Sequence, residues 1–148
     1  MNQEDIDNLL QASLLAGFQV PDEELQLQVL EQGLNTHLTH ALPNGFSAIY
    51  IFKHQDEVLK VGHCGLNCTP CFQSRHYGFS FPSTLAKSLM NNAERNHLYE
   101  ENTVGDWIKE NTTRYNIYIP ASYGNYFRYF AESYFILKYH PLFERKGN

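Results

Sequence analysis

Tyr50 and Lys60 are two residues of this chain whose types and spacing could serve one reaction. They lie in short β-rich runs, Ala48-Ile49-Tyr50-Ile51-Phe52 and Val58-Leu59-Lys60-Val61, on either side of the polar segment 53–57. Such runs predict a β-hairpin. Tyr50 and Lys60 are equidistant from residue 55, so a five-residue loop would oppose them directly, and opposed residues share a face. A phenol and an ammonium would then project together, a pairing suited to general acid–base chemistry. An ordinary surface Tyr–Lys pair has the same spacing, and a one-residue slip would separate the two. Glu132 is the second focus. Around it Tyr126, Phe127, Tyr129, Phe130, Ala131, Tyr134, Phe135 and Ile136 leave little polar face, which predicts a helix buried on several sides. A carboxylate there needs a counter-charge. Arg128, four residues earlier, could supply it as an ion pair, and so could a bound divalent cation.

The elements that must position these groups follow from periodicity and punctuation. Ile6, Leu9, Leu10 and Leu14 recur at helical spacing and Gly17 ends the run. Pro21-Asp22-Glu23-Glu24 suits a first helical turn and predicts a second helix to about Gly33. Leu42-Pro43-Asn44-Gly45 reads as a linker and turn before the hairpin. Residues 63–82 are irregular, with one short helix near Phe72–His76. Ser83 caps a helix through Asn91, and Val104–Glu110 forms another. Tyr115–Ile119 is a strand closed by Pro120, and the helix from Asn125 to Tyr139 is stopped by Pro141. The expected fold class is α+β, a small antiparallel sheet flanked by helices, with an acidic helical arm at 1–44 and the sheet domain at 45–148.

Composition sets limits. Hydrophobic residues are 43% and aromatics 14%, enough for a packed core in 148 residues. No apolar run approaches the roughly 20 residues that span a bilayer, and the acidic N-terminus lacks the basic start of a signal peptide. No membrane role and a cytoplasmic setting are expected. The net charge of −5 is unevenly spread. Residues 1–52 hold seven acidic residues and no Lys or Arg, leaving nine acidic and eleven basic residues in 53–148. A mildly basic module is compatible with a phosphate ligand. The apolar faces of the arm suit a cover over the core or a contact between two copies of the chain, a homodimer.

Several motifs, taken in order, resemble one family. Ala48-Ile49-Tyr50, followed ten residues later by Lys60-Val61-Gly62, is similar to the paired signatures of GIY-YIG nucleases. Ala131-Glu132-Ser133-Tyr134-Phe135-Ile136 and the following Pro141 resemble that family's helix with its metal-binding glutamate. Ser74-Arg75-His76-Tyr77 resembles the segment that supplies arginine and a histidine or tyrosine. The resemblance covers about 46–148. It implies a GIY-YIG-like fold and metal-dependent endonuclease activity on nucleic acid, DNA before RNA. It also implies roles: Tyr50 as general base or orienter of the attacking water, Lys60 as its tuning or relay group, Arg75 and His76 at the phosphate, and Glu132 holding Mg²⁺ or Mn²⁺. The sequence departs from the pattern at Ala48, which replaces glycine, and at Glu144, which stands where asparagine is common. Arg75 has Phe79 four residues on, whereas Arg95 and Tyr99 keep the family's spacing at a greater distance from the second signature. The alternative function is a catalytically weak nucleic-acid or protein-binding module that retains the fold.

Cys64, Cys68 and Cys71 form a C-x3-C-x2-C pattern similar to the cluster loop of radical SAM enzymes. That reading fails, because the chain is already spent on other elements. An odd cysteine count predicts reduced thiols, with a zinc site completed by His63 or His76 as the lesser alternative.

Overall fold

β2 (Phe46–His54) is apolar along nearly its whole length because it is covered on both faces. In the computed structural model, which describes residues 1–37 and 41–144, it lies inside a four-stranded antiparallel sheet. The sheet is completed by β1 (Gln26–Leu30), β3 (Glu57–Cys64) and β4 (Thr113–Pro120), in the order β1-β4-β2-β3. Alternate residues of β2 enter two cores. Ile49 and Ile51 join Ile6 and Leu9 of α1 (Gln3–Leu15) and Phe127, Ala131 and Phe135 of α5 (Gly124–Tyr139). Ala48, Tyr50 and Phe52 face Phe72 of α2 (Thr69–Gln73), Leu85 and Leu89 of α3 (Leu85–Asn91), and Val104 and Ile108 of α4 (Val104–Asn111). The α+β class and the flanking helices are as the sequence predicts.

The hairpin differs from expectation in an instructive way. Its loop has two residues, Gln55 and Asp56, with Gln55 at φ 52°, because His54 pairs with Glu57. Tyr50 pairs with Gly62, and Lys60 with Phe52. Without correction a two-residue loop would set Tyr50 opposite Val61 and reverse the faces. A bulge between Phe52 and Lys53 supplies the one-residue shift that restores them. Tyr50 and Lys60 are thus diagonal neighbours on one face, not directly opposed.

The N-terminal segment also needs correction. α1 forms as read, capped by a reciprocal Asn2–Asp5 box and followed by Gly17 at φ 89°. The second helix does not form: residues 26–30 are β1. Leu25, Leu27 and Val29 alternate with Gln26 and Gln28, a period of two that pairing with β4 makes use of. Gln28 Oε1 accepts hydrogen bonds from Asn116 Nδ2 (2.9 Å) and Tyr118 Oη (2.8 Å), fixing this strand at the sheet edge. The segment is thus an α–β unit, not a helical hairpin, and Ile6, Leu9 and Leu25 share a core with the sheet. Thr84, not Ser83, caps α3, its hydroxyl accepting from Lys87 N at 3.1 Å. Among the described residues no helix is long and apolar enough to cross a membrane.

Candidate functional site

The outer edge of β3 is where the two faces of the sheet meet. On one face lie Tyr50 and Lys60. His63, one residue beyond Gly62, points to the opposite face, toward α5. A cavity of about 420 Å³ opens there, lined by Tyr50, Lys60, Gly62, His63, Arg75, His76, Ser83, Glu132 and Glu144. All five residues singled out from the sequence, Tyr50, Lys60, Arg75, His76 and Glu132, line this one cavity. Arg95 does not. It binds Glu57 Oε2 at 2.8 Å near the hairpin turn.

Arg75 and His76 reach the site on a 3₁₀ turn, Arg75–Tyr77, that follows α2. Phe72 anchors that segment in the core, and a buried cation ties it down. Arg114 of β4, 1% exposed, donates to Phe72 O (2.6 Å), Asn116 Oδ1 (2.8 Å) and Tyr77 Oη (3.2 Å). Its guanidinium also lies 5.5 Å from the centroid of the Tyr50 ring. No periodicity marked Arg114, because two of its three partners, Phe72 and Tyr77, lie about 40 residues away in sequence.

Tyr50 is 2% exposed and its hydroxyl donates to His63 O at 3.3 Å. Burial pushes its phenol pKa above the usual value, and Arg75 and Arg114 pull in the other direction. Two arginines thus act on Tyr50 against the effect of burial. Lys60 instead donates to Phe143 O at 3.2 Å, lowers the pKa of His76 and opposes the upward shift of Glu144. Burial is the larger cause at both: it holds His76 well below its ordinary value and raises the Glu144 carboxyl. His76 Nδ1 accepts from Leu85 N at 3.0 Å, so in the neutral ring Nε2 carries the proton. That buried Nε2 has no hydrogen-bond partner among the described residues, nor has Arg75 Nε. Two buried donors of cavity-lining residues are therefore unspent.

Glu132 is not paired with Arg128. Its Oε2 accepts from His63 Nδ1 at 2.7 Å, while Arg128 donates to Asn125 Oδ1 at 3.0 Å and packs over Tyr129. With 24% side-chain exposure, Glu132 is a half-buried carboxylate at a cavity wall, not a fully buried one. His63 and Glu144 are functional candidates that the motifs did not single out. Glu144 Oε1 accepts from Val61 N at 3.2 Å, which brings the chain after Pro141 onto the β3 edge.

The cysteines pair otherwise than expected. Cys68 and Cys71 are joined in a disulfide at the start of α2. Cys64 is a buried thiol whose pKa burial pushes up to about 11. With Cys68 and Cys71 joined to each other, the zinc alternative loses two of its three thiol ligands. Among the described residues no group of three or more His, Cys, Asp or Glu is placed to hold a metal ion. A Mg²⁺ ion bound through one carboxylate and its own waters does not require such a group.

Comparison of the chain with protein-family models, with curated proteins and with solved structures found no match.

Proposed function

We propose that this chain is a divalent-metal-dependent endonuclease that hydrolyses phosphodiesters in nucleic acid, DNA before RNA. The observation that carries the reading is the shared cavity: a tyrosine, a histidine, an arginine, a lysine and a half-buried glutamate line about 420 Å³ at one strand edge. Phosphodiester hydrolysis needs donors for the phosphate oxygens, a group that handles the proton of the attacking water, and charge at the leaving oxygen. Arg75 and the unspent Nε2–H of His76 are suited to the phosphate. Tyr50 is suited to orienting the water, because burial, only partly opposed by Arg75 and Arg114, keeps its phenol protonated. His63 holds one oxygen of Glu132 in place.

The donor set fits a hard cation. Glu132 is a carboxylate at the cavity wall, and Glu144 adds a second one nearby. Glu132 would hold Mg²⁺ or Mn²⁺, and such a cation, when bound, supplies positive charge to the developing charge on the leaving oxygen.

The test is cleavage of plasmid DNA, single-stranded DNA and RNA with Mg²⁺ or with chelator, for the wild type and Glu132→Gln. The expected result is Mg²⁺-dependent cleavage by the wild type alone, with the variant melting within a few degrees of it. Normal cleavage by Glu132→Gln would remove Glu132 from the metal role. A second reading, a weakly catalytic nucleic-acid-binding module, is favoured by the Tyr50 hydroxyl, which spends its proton on a backbone carbonyl. Binding without cleavage under every condition would select it.

A further inference from the structure

A second cleft, of about 640 Å³, lies beside the β2–β3 turn and is separate from the cavity described above. Its lining includes Trp107, Tyr99 and His54 together with the Glu57–Arg95 pair. The rings fix one another: Trp107 lies 4.7 Å from Tyr99 edge to face and 5.1 Å from His54 at a tilt. His54 is further held by Nδ1, 2.7 Å from Asn111 O. Leu98 at the rim is 60% exposed, an apolar side chain with little cover. Glu57 and Arg95 meet at 2.8 Å but are 40% and 32% exposed, so neither is locked by packing. The cleft thus offers aromatic faces together with an adjacent acceptor and donor, and its volume suits a small planar ligand.

We propose that this cleft binds a purine base, specifically guanine, of a polynucleotide. Guanine presents N1–H and N2–H donors that a carboxylate accepts, beside the O6 and N7 acceptors that an arginine reads. Adenine would set the bare N1 lone pair against Glu57, and cytosine offers a smaller stacking surface. Aromatic walls provide the stacking that holds an unpaired base. Glu57 and Lys60 are three residues apart on β3, about 10 Å at ~3.3 Å per residue. A base held here and a phosphate at the cavity would then lie within a few nucleotides of one another on a single strand. The source of the base rests on the nucleic-acid reading above. Base binding itself does not.

Trp107 is the single tryptophan of the chain and lies in the cleft wall, so its emission reports occupancy directly. Metal-free wild-type protein is titrated with guanosine, guanosine 5′-monophosphate, adenosine, cytidine and inorganic phosphate. Saturable quenching by guanosine and its monophosphate at similar concentrations is expected. Adenosine and cytidine should need about tenfold more or beyond, the discrimination typical of a bidentate contact. Glu57→Gln should bring guanosine to the level of adenosine. No response to any nucleoside overturns the proposal. So does a response to phosphate and monophosphate without guanosine, or equal affinity for all nucleosides that Glu57→Gln leaves unchanged. Guanosine binding by a protein that cuts nothing would sink only the nuclease reading, and cutting without guanosine binding would sink only this one.

Discussion

Gly62→Ala should damage both stability and chemistry, for a reason visible only in three dimensions. A Cβ built on Gly62 would lie 2.6 Å from Cε2 and 2.9 Å from Cζ and the hydroxyl oxygen of Tyr50. Favourable carbon–carbon contacts fall near 3.5–4.0 Å, so the ring must retreat by about 1 Å. The His76 ring at 4.7 Å, the Phe52 ring at 6.2 Å and the Arg114 guanidinium at 5.5 Å hem the ring in, so any retreat goes into the cavity and displaces the hydroxyl. Overpacking of a filled core costs about 1–3 kcal/mol. For a chain of this size that corresponds to roughly 3–12 °C in Tm. If the ring did not cover Gly62, the same substitution in a strand would be neutral or stabilising by about 0.5–1 kcal/mol. The sign of the change is therefore diagnostic. A shift of about 1 Å at a reacting group can also cost about 10²-fold in rate, so single-turnover cleavage should fall by that order. Thermal denaturation followed by circular dichroism, with single-turnover kinetics, measures both. A double-mutant cycle in a Tyr50→Leu background should recover most of the stability loss. An unchanged or higher Tm for Gly62→Ala, with unchanged cleavage, would refute the packing of Tyr50 across Gly62.

Two further outcomes are expected. Tyr50→Phe should lower turnover by about 10²–10⁴-fold with little change in affinity, and loss of binding alone would reassign Tyr50 to anchoring. Stability should fall as pH drops from about 6.5 to about 4, because burial lowers the pKa of His37 to about 4 and its unfolded form takes up the proton first. His37 Nε2 donates to Thr112 O at 2.8 Å in that neutral state. Urea denaturation across this range should show a steeper decline for the wild type than for His37→Gln, and identical slopes would rule out His37 as a source.

Local sequence determined what depends on neighbouring residues. The apolar runs of β2 and β4, the spacing of α1 with its Gly17 stop and the aromatic run of α5 were legible because propensity and periodicity act within a few residues. The residue types of the site were legible too, since short motifs place Tyr50, Lys60, Arg75, His76 and Glu132 in order along the chain. Tertiary structure decided which partners those groups keep. Residues 26–30 fit a helix or a strand until β4 offered an edge to pair with. Glu132 has Arg128 one helical turn away but bonds to His63, 69 residues distant in sequence. Arg75 and the buried Arg114, distant from Tyr50 in sequence, oppose the rise that burial causes in its pKa. A bulge restored the face that the two-residue turn would have reversed. Each choice lay between local options of similar energy, and the long-range packing that decides among them is set only when distant segments meet.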